Sequence, residues 1–141
     1  PQAPEAEAEM RADAQVRLIG TVEDIRPHLA SAAALVVPLR VGAGTRVRIV
    51  EAFAAGLPVV STSLGAEGLP VQDGRELRLA DEPGAFADAV LGILEQPGKA
   101  AAMAARAREL AEQRYDWRAI AQRLGAVYEN LGAGRKPTCN L

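Results

Sequence analysis

The run Pro38-Leu-Arg-Val-Gly-Ala-Gly-Thr-Arg-Val-Arg-Ile-Val-Glu-Ala-Phe-Ala-Ala-Gly-Leu-Pro-Val-Val-Ser-Thr62 leaves the chain few folds to choose from. It reads as strand, glycine loop, helix, tight turn, strand. Leu35-Val-Val-Pro38 is continuously apolar, as a parallel strand buried on both faces must be. A helix is expected over roughly residues 46–55 and stops at Gly56, and Leu57-Pro58 passes the chain to a strand reaching Thr62. Parallel strands joined by a helix imply an α/β architecture.

The rest of the chain continues that alternation. Val16-Arg-Leu-Ile-Gly20 is expected to be a short strand. Asp24 is the expected N-cap of a helix over roughly 25–32, with Pro27 near its start. Residues 63–76 hold Gly65, Gly68, Pro70 and Gly74 and are expected to be loop; Gly65-Ala-Glu-Gly68 follows a strand end and could border a pocket. Leu77-Arg-Leu-Ala80 alternates as a brief strand. Asp81 or Glu82 with Pro83 opens a helix to about Glu95, and Gln96-Pro97-Gly98 breaks it. Residues 99–114, rich in alanine, form another helix, and Asp116-Trp117 opens a last one to about Asn130. Residue type assigns Tyr115 and Trp117 to packing. The expected organisation is a polar lead-in over 1–14, one α/β domain over 15–131 and a polar tail over 132–141.

Composition narrows the function classes. Apolar residues make up 49 % of the 141 but aromatics only 4 %, so the core must be aliphatic. A net charge of −2 gives no global attraction to nucleic acid or anionic membrane. The one cysteine, Cys139, rules out an intrachain disulfide and suits a reducing compartment. No Cys/His cluster marks a structural metal site. The single histidine, His28, leaves no serine or cysteine nucleophile arrangement and is expected to be structural or exposed.

Positive charge is local instead: Arg40, Arg46 and Arg48 crowd the glycine loop. Gly42 and Gly44 can take φ > 0 and admit a ligand close to the backbone. Thr45 is placed at the N-cap, ahead of helix amides without intrahelical partners. Those amides and the helix dipole favour an anion at the carboxyl end of the strand. Cations in a first turn oppose the dipole, at about 0.3–1 kcal/mol each. A bound phosphate or diphosphate would offset that cost through charge-assisted hydrogen bonds. Arg46 falls in the sector of Val50 and Phe53 and, being first in the helix, could project past its end toward a ligand. Arg48 falls near Glu51 and could pair with it. Glu51 lies six residues beyond Thr45, about 9 Å along the axis, which suits hydroxyls one group beyond the phosphate, such as a ribose.

Over residues 15–130 the chain resembles the carboxy-terminal domain of GT-B-fold glycosyltransferases, specifically the retaining family 4. The resemblance rests on Gly20-x-Val22-x-Asp24, Val37-Pro38, Gly42-Ala-Gly-Thr-Arg46, Glu51-Ala52, Gly56-Leu-Pro-Val-Val60 and Tyr115-Asp-Trp117. It implies a Rossmann-like parallel sheet flanked by helices, incomplete at its amino-terminal side. The implied activity is transfer of a hexose from a nucleotide-diphosphate sugar to an acceptor, with retention, in polysaccharide or glycoconjugate synthesis. Two acids separated by seven residues mark much of the family. Glu51 matches the second, which contacts the nucleotide ribose, whereas the first, a donor-sugar contact in relatives, falls on Ala43.

The resemblance carries the diphosphate over to the loop amides of Gly44 and Thr45; the expected substrate site is Gly42, Ala43, Gly44, Thr45, Arg46 and Glu51, with Arg46 as the expected catalytic residue that helps hold the departing diphosphate. No metal or other cofactor, no nucleic acid partner and a cytoplasmic location are expected. The acceptor, a sugar or lipid-linked sugar, would be bound by an amino-terminal domain outside these residues, with peripheral membrane association of the whole protein. In the sheet order 3-2-1-4-5-6, two strands preceding Val16 would lie between residues 16–20 and 35–38. These residues alone are therefore expected to be marginally stable or to associate through strand edges. Two other readings compete: a sugar-nucleotide epimerase, which can share the fold, and a non-catalytic nucleotide-binding or interaction module.

Overall fold

The computed structural model describes residues 8, 10–42, 44 and 46–132. Three short parallel strands, β1 (Leu35–Val37), β2 (Val59–Ser61) and β3 (Arg78–Leu79), lie in that order in one sheet. β1 and β2 pair Leu35 with Val59 and Val37 with Ser61, and β2 and β3 pair Ser61 with Leu79. The helices are α1 (Arg26–Ser31), α2 (Val47–Ala54), α3 (Pro83–Glu95), α4 (Pro97–Tyr115) and α5 (Trp117–Gly132). This is the expected α/β fold with a parallel sheet flanked by helices.

The sheet divides the core in two. On one side Ile49, Ala52 and Phe53 of α2 pack with Val59, Leu77, Ala107 and Ala111. On the other, Ala89 and Ile93 of α3 pack with Val60, Ala100 and Met103. The alanine-rich α4 buries Ala100, Met103, Ala104, Ala107 and Ala111, a helical stripe of small side chains that lets it lie close against α2. At the end of α2, Gly56 takes φ +71°, its amide bonds Phe53 O, and the Leu57 amide bonds Ala52 O. That double bond is the Schellman stop expected of a glycine there.

Several expected boundaries move. Residues 16–20 form no strand; Val16, Leu18 and Ile19 are exposed. A strand exists only through ladder bonds, and none of the described strands pairs with this segment. Asp24 is not the N-cap of α1. That position is Ile25, and Asp24 reaches past it to accept from the Arg26 amide (2.9 Å) and Nε (2.9 Å). α4 starts at Pro97 rather than 99, because Gln96 serves both as C-cap of α3 and N-cap of α4. Trp117 is not packed but 82 % exposed. It opens α5, where Asp116 Oδ1 takes the Arg118 amide (2.7 Å), and the principal neighbour of that helix is α4. Tyr115 is half-buried. Ala43, Thr45 and Cys139 lie outside the described residues, as does most of the 132–141 tail.

Candidate functional site at the carboxyl ends of the strands

The loops leaving β1, β2 and β3 meet at one end of the sheet, where open α/β folds bind ligands. Side chains clip them together. Arg40, beyond β1, donates from Nη2 to Asp81 O beyond β3 (3.2 Å). Asp81 accepts from the Ser63 amide (2.8 Å) and Oγ (2.7 Å) beyond β2. These two Ser63 bonds, the side-chain one foremost, lower the Asp81 carboxyl below its ordinary value, and Arg40 adds to the effect. Thr62 Oγ1 donates to Leu39 O (2.6 Å) and accepts from the Gly65 amide (3.0 Å). Gly65 is obligatory: a Cβ there would stand 2.4 Å from Ser61 Oγ and 3.1 Å from Val37 O.

The glycine loop has the backbone its sequence required. Gly42 has φ +140° and Gly44 φ +120°, both where side chains are rarely tolerated. A Cβ on Gly44 would meet nothing within 4 Å, so that position faces open space, whereas one on Gly42 would touch Leu39 at 3.6 Å. Val47 and Arg48 form the first turn of α2, where amides lack intrahelical partners. The N-cap is Arg46, with φ −84° and ψ 46°, one residue later than expected.

Each of the three arginines is engaged with the protein. Arg48 Nη1 pairs with Glu51 Oε2 (3.1 Å), as their spacing suggested. Arg46 turns inward. Its side chain is only 9 % exposed, its Nη2 donates to Leu64 O (2.6 Å), and Glu67 Oε2 lies 3.5 Å away. Its Nε is buried without a partner. A desolvated guanidinium with an unused N–H is costly unless something else meets it.

Beside this arginine a cavity of about 900 Å³ opens between the loop, α2 and the start of α5. Gly44, Arg46 and Glu51 line it together with Glu67, Tyr115 and Trp117. The structure thus brings the glycine loop, Arg46 and Glu51 to one cavity. Sequence reasoning set residues 65–68 at the border of a pocket, and Glu67 and Gly68 do line this cavity, but it gave Glu67 no role of its own, read Asp81 only as a helix start and passed over Ser63. The glycines of 63–76 marked a loop at the right end of the sheet, but not which side chains it turns inward. His28 lies in the last turn of α1, half-buried, and lines none of the described cavities. Among the described residues no cluster of His, Cys, Asp and Glu is placed to hold a metal ion. No described helix is long and apolar enough to cross a membrane.

This fold and site define an α/β domain with a ligand-sized cavity at the carboxyl ends of its strands, and comparison with known proteins gives its family. The family model described as Glycosyl transferases group 1 matches residues 1–96, and the chain belongs to that family. It is 36 % identical over 126 residues to phosphatidyl-myo-inositol mannosyltransferase of Mycolicibacterium smegmatis, covering 86 % of this chain and 32 % of that protein. It is 38 % identical over 81 residues to D-inositol 3-phosphate glycosyltransferase 2 of Catenulispora acidiphila, covering 56 % of this chain and 19 % of that one. The fold is shared with sucrose-phosphate synthase from Thermosynechococcus elongatus, at TM-score 0.76 and 24 % identity over 92 % of this chain and 34 % of that one. The chain therefore spans about a third of the length of the mannosyltransferase it matches.

Proposed function

We propose that this chain is the donor-binding part of a hexosyltransferase that takes a sugar from a nucleotide diphosphate and passes it to an acceptor. One observation carries the reading. Two positive-φ glycines lead from a strand end into a helix start, beside a buried arginine with an unused N–H. That combination suits a diphosphate, whose oxygens accept from backbone amides at close range. In this reading the amides of the loop from Gly42 to Thr45 hold the diphosphate. Arg46 offers the departing charge its Nε, and Glu51 orients the ribose. Charge that develops on the leaving diphosphate is met by donors already in place, the commonest source of catalytic stabilisation.

The family and the mannosyltransferase and glycosyltransferase names of the relatives support this chemistry. Acceptor binding falls to protein beyond these residues. We further propose that the whole protein works in the cytoplasm on a sugar or lipid-linked acceptor, with peripheral membrane association, in polysaccharide or glycoconjugate synthesis. Product analysis tests the reaction type, since an altered free nucleotide sugar without transfer would indicate an epimerase. Calorimetric titration of the chain with GDP and UDP tests the site: saturable binding weakened by Arg46→Ala is expected, and no heat with either nucleotide would overturn the reading.

A further inference from the structure

We infer that Glu67 is a binding residue of the same cavity, accepting hydrogen bonds from hydroxyls of the donor's sugar; this rests on the donor-site reading above. From Pro38 to Val50 the sequence has no acidic residue, so the glycine loop and first turn of α2 supply no carboxylate of their own. The carboxylates lining the cavity are Glu51 and Glu67, from two different loops or helices. Glu51, paired with Arg48 at 3.1 Å, is the carboxylate assigned above to the ribose, which leaves Glu67 for the sugar. Glu67 is 70 % exposed, and its contact with Arg46, at 3.5 Å, sits at the limit of a hydrogen bond. An ionised carboxylate has about four acceptor positions, so that contact leaves most of them open to a ligand.

Glu67 is nevertheless held in place. Arg46 grips Leu64 O, three residues before it, at 2.6 Å. Thr62 ties the same loop to Leu39, and Gly65 seats it against Ser61 and Val37. A carboxylate on a fixed loop, lining the same cavity as the exposed indole of Trp117, suits a hexose, which offers adjacent hydroxyls on its rim and C–H groups on its face. A solvated surface ion pair would need none of this anchoring, and such pairs contribute little.

The test compares the chain with its Glu67→Gln variant by calorimetry, using GDP, GDP-mannose, UDP and UDP-glucose as probes. Melting temperature serves as the folding control and is expected to hold, because Glu67 is largely exposed. The expected result is a nucleotide sugar bound about tenfold more weakly while the matching nucleoside diphosphate is unaffected. Equal weakening of both ligands would mean that Glu67 acts only through Arg46, and unchanged binding of both would mean that it is a surface charge; either overturns the inference. A chain that binds diphosphates but no nucleotide sugar overturns the inference alone. A chain that binds neither removes the donor-site reading with it.

Discussion

Arg46 Nη2 donates to the carbonyl oxygen of Leu64 at 2.6 Å, joining the start of α2 to the loop that leaves β2. Residue spacing suggested that this arginine projects toward a phosphate; the fold also makes it a bridge between two loops at one end of the sheet. Its buried Nε stands between the two roles. A guanidinium presents its donors in a rigid fork that a lysine cannot reproduce. Arg46→Lys is therefore expected to keep the charge yet weaken GDP or UDP binding and loosen the Leu64 loop. Calorimetry together with amide exchange at residues 63–68 checks both effects.

Gly65 is set where a side chain has no space, with its hypothetical Cβ 2.4 Å from Ser61 Oγ. Gly65→Ala should force Ser61 or the loop aside and destabilise the chain by about 1–3 kcal/mol. Gly68→Ala separates clash from backbone conformation, because it has open space but φ +81°. Urea unfolding of both variants measures the difference, and the larger loss is expected at Gly65.

Asp81 gives the site an acid limit. Its two bonds from Ser63 hold its carboxyl below the ordinary value of 3.8, so the folded state binds the proton less readily than the unfolded chain. The stabilisation is present above that ordinary value and is lost as pH falls through the lowered one. Asp24, lowered by the Arg26 side chain, acts in the same direction. Asp81→Asn should lower the melting temperature at pH 7 and reduce its fall on acidification below 3.8. Parallel melts of the two proteins at pH 7 and pH 3 check this.

β1 pairs with β2 on one side, and on the other no described strand covers it. Val36 is exposed there, beside a cavity of about 380 Å³ lined by Ile25, Leu29 and Pro38. An uncovered apolar edge templates association. The chain alone is expected to self-associate as its concentration rises, and Val36→Lys to shift it toward monomer, as read by sedimentation velocity. A wild-type chain that stays monomeric throughout would contradict this.

Local features were legible in the sequence. Helix α2 follows from its apolar spacing, and Gly56 follows from the handedness that a Schellman turn demands. Pro83 marks a helix start because proline tolerates the first turn, whereas Pro97, read as part of a break, opens α4 for the same physical reason. What failed was non-local. Residues 16–20 look like a strand, but a ladder partner decides whether a strand exists. Trp117 has the composition of a core residue, yet the side of α5 it takes depends on how that helix meets α4. The partner of Arg46 lies 18 residues away, and no spacing rule connects an arginine at a helix N-cap to a later loop. For the same reason, spacing could put residues 65–68 at a pocket border but could not single out Glu67, and it could not join Asp81 to Ser63.

The central claim, that the glycine loop and the start of α2 form a nucleotide-diphosphate site, is tested most directly by following backbone amide resonances of the chain during titration with GDP and UDP. The account predicts saturable shifts that are largest at Gly42, Gly44, Val47 and Arg48 and extend to Glu51. Saturable shifts centred on other residues, or none with either nucleotide, would contradict it.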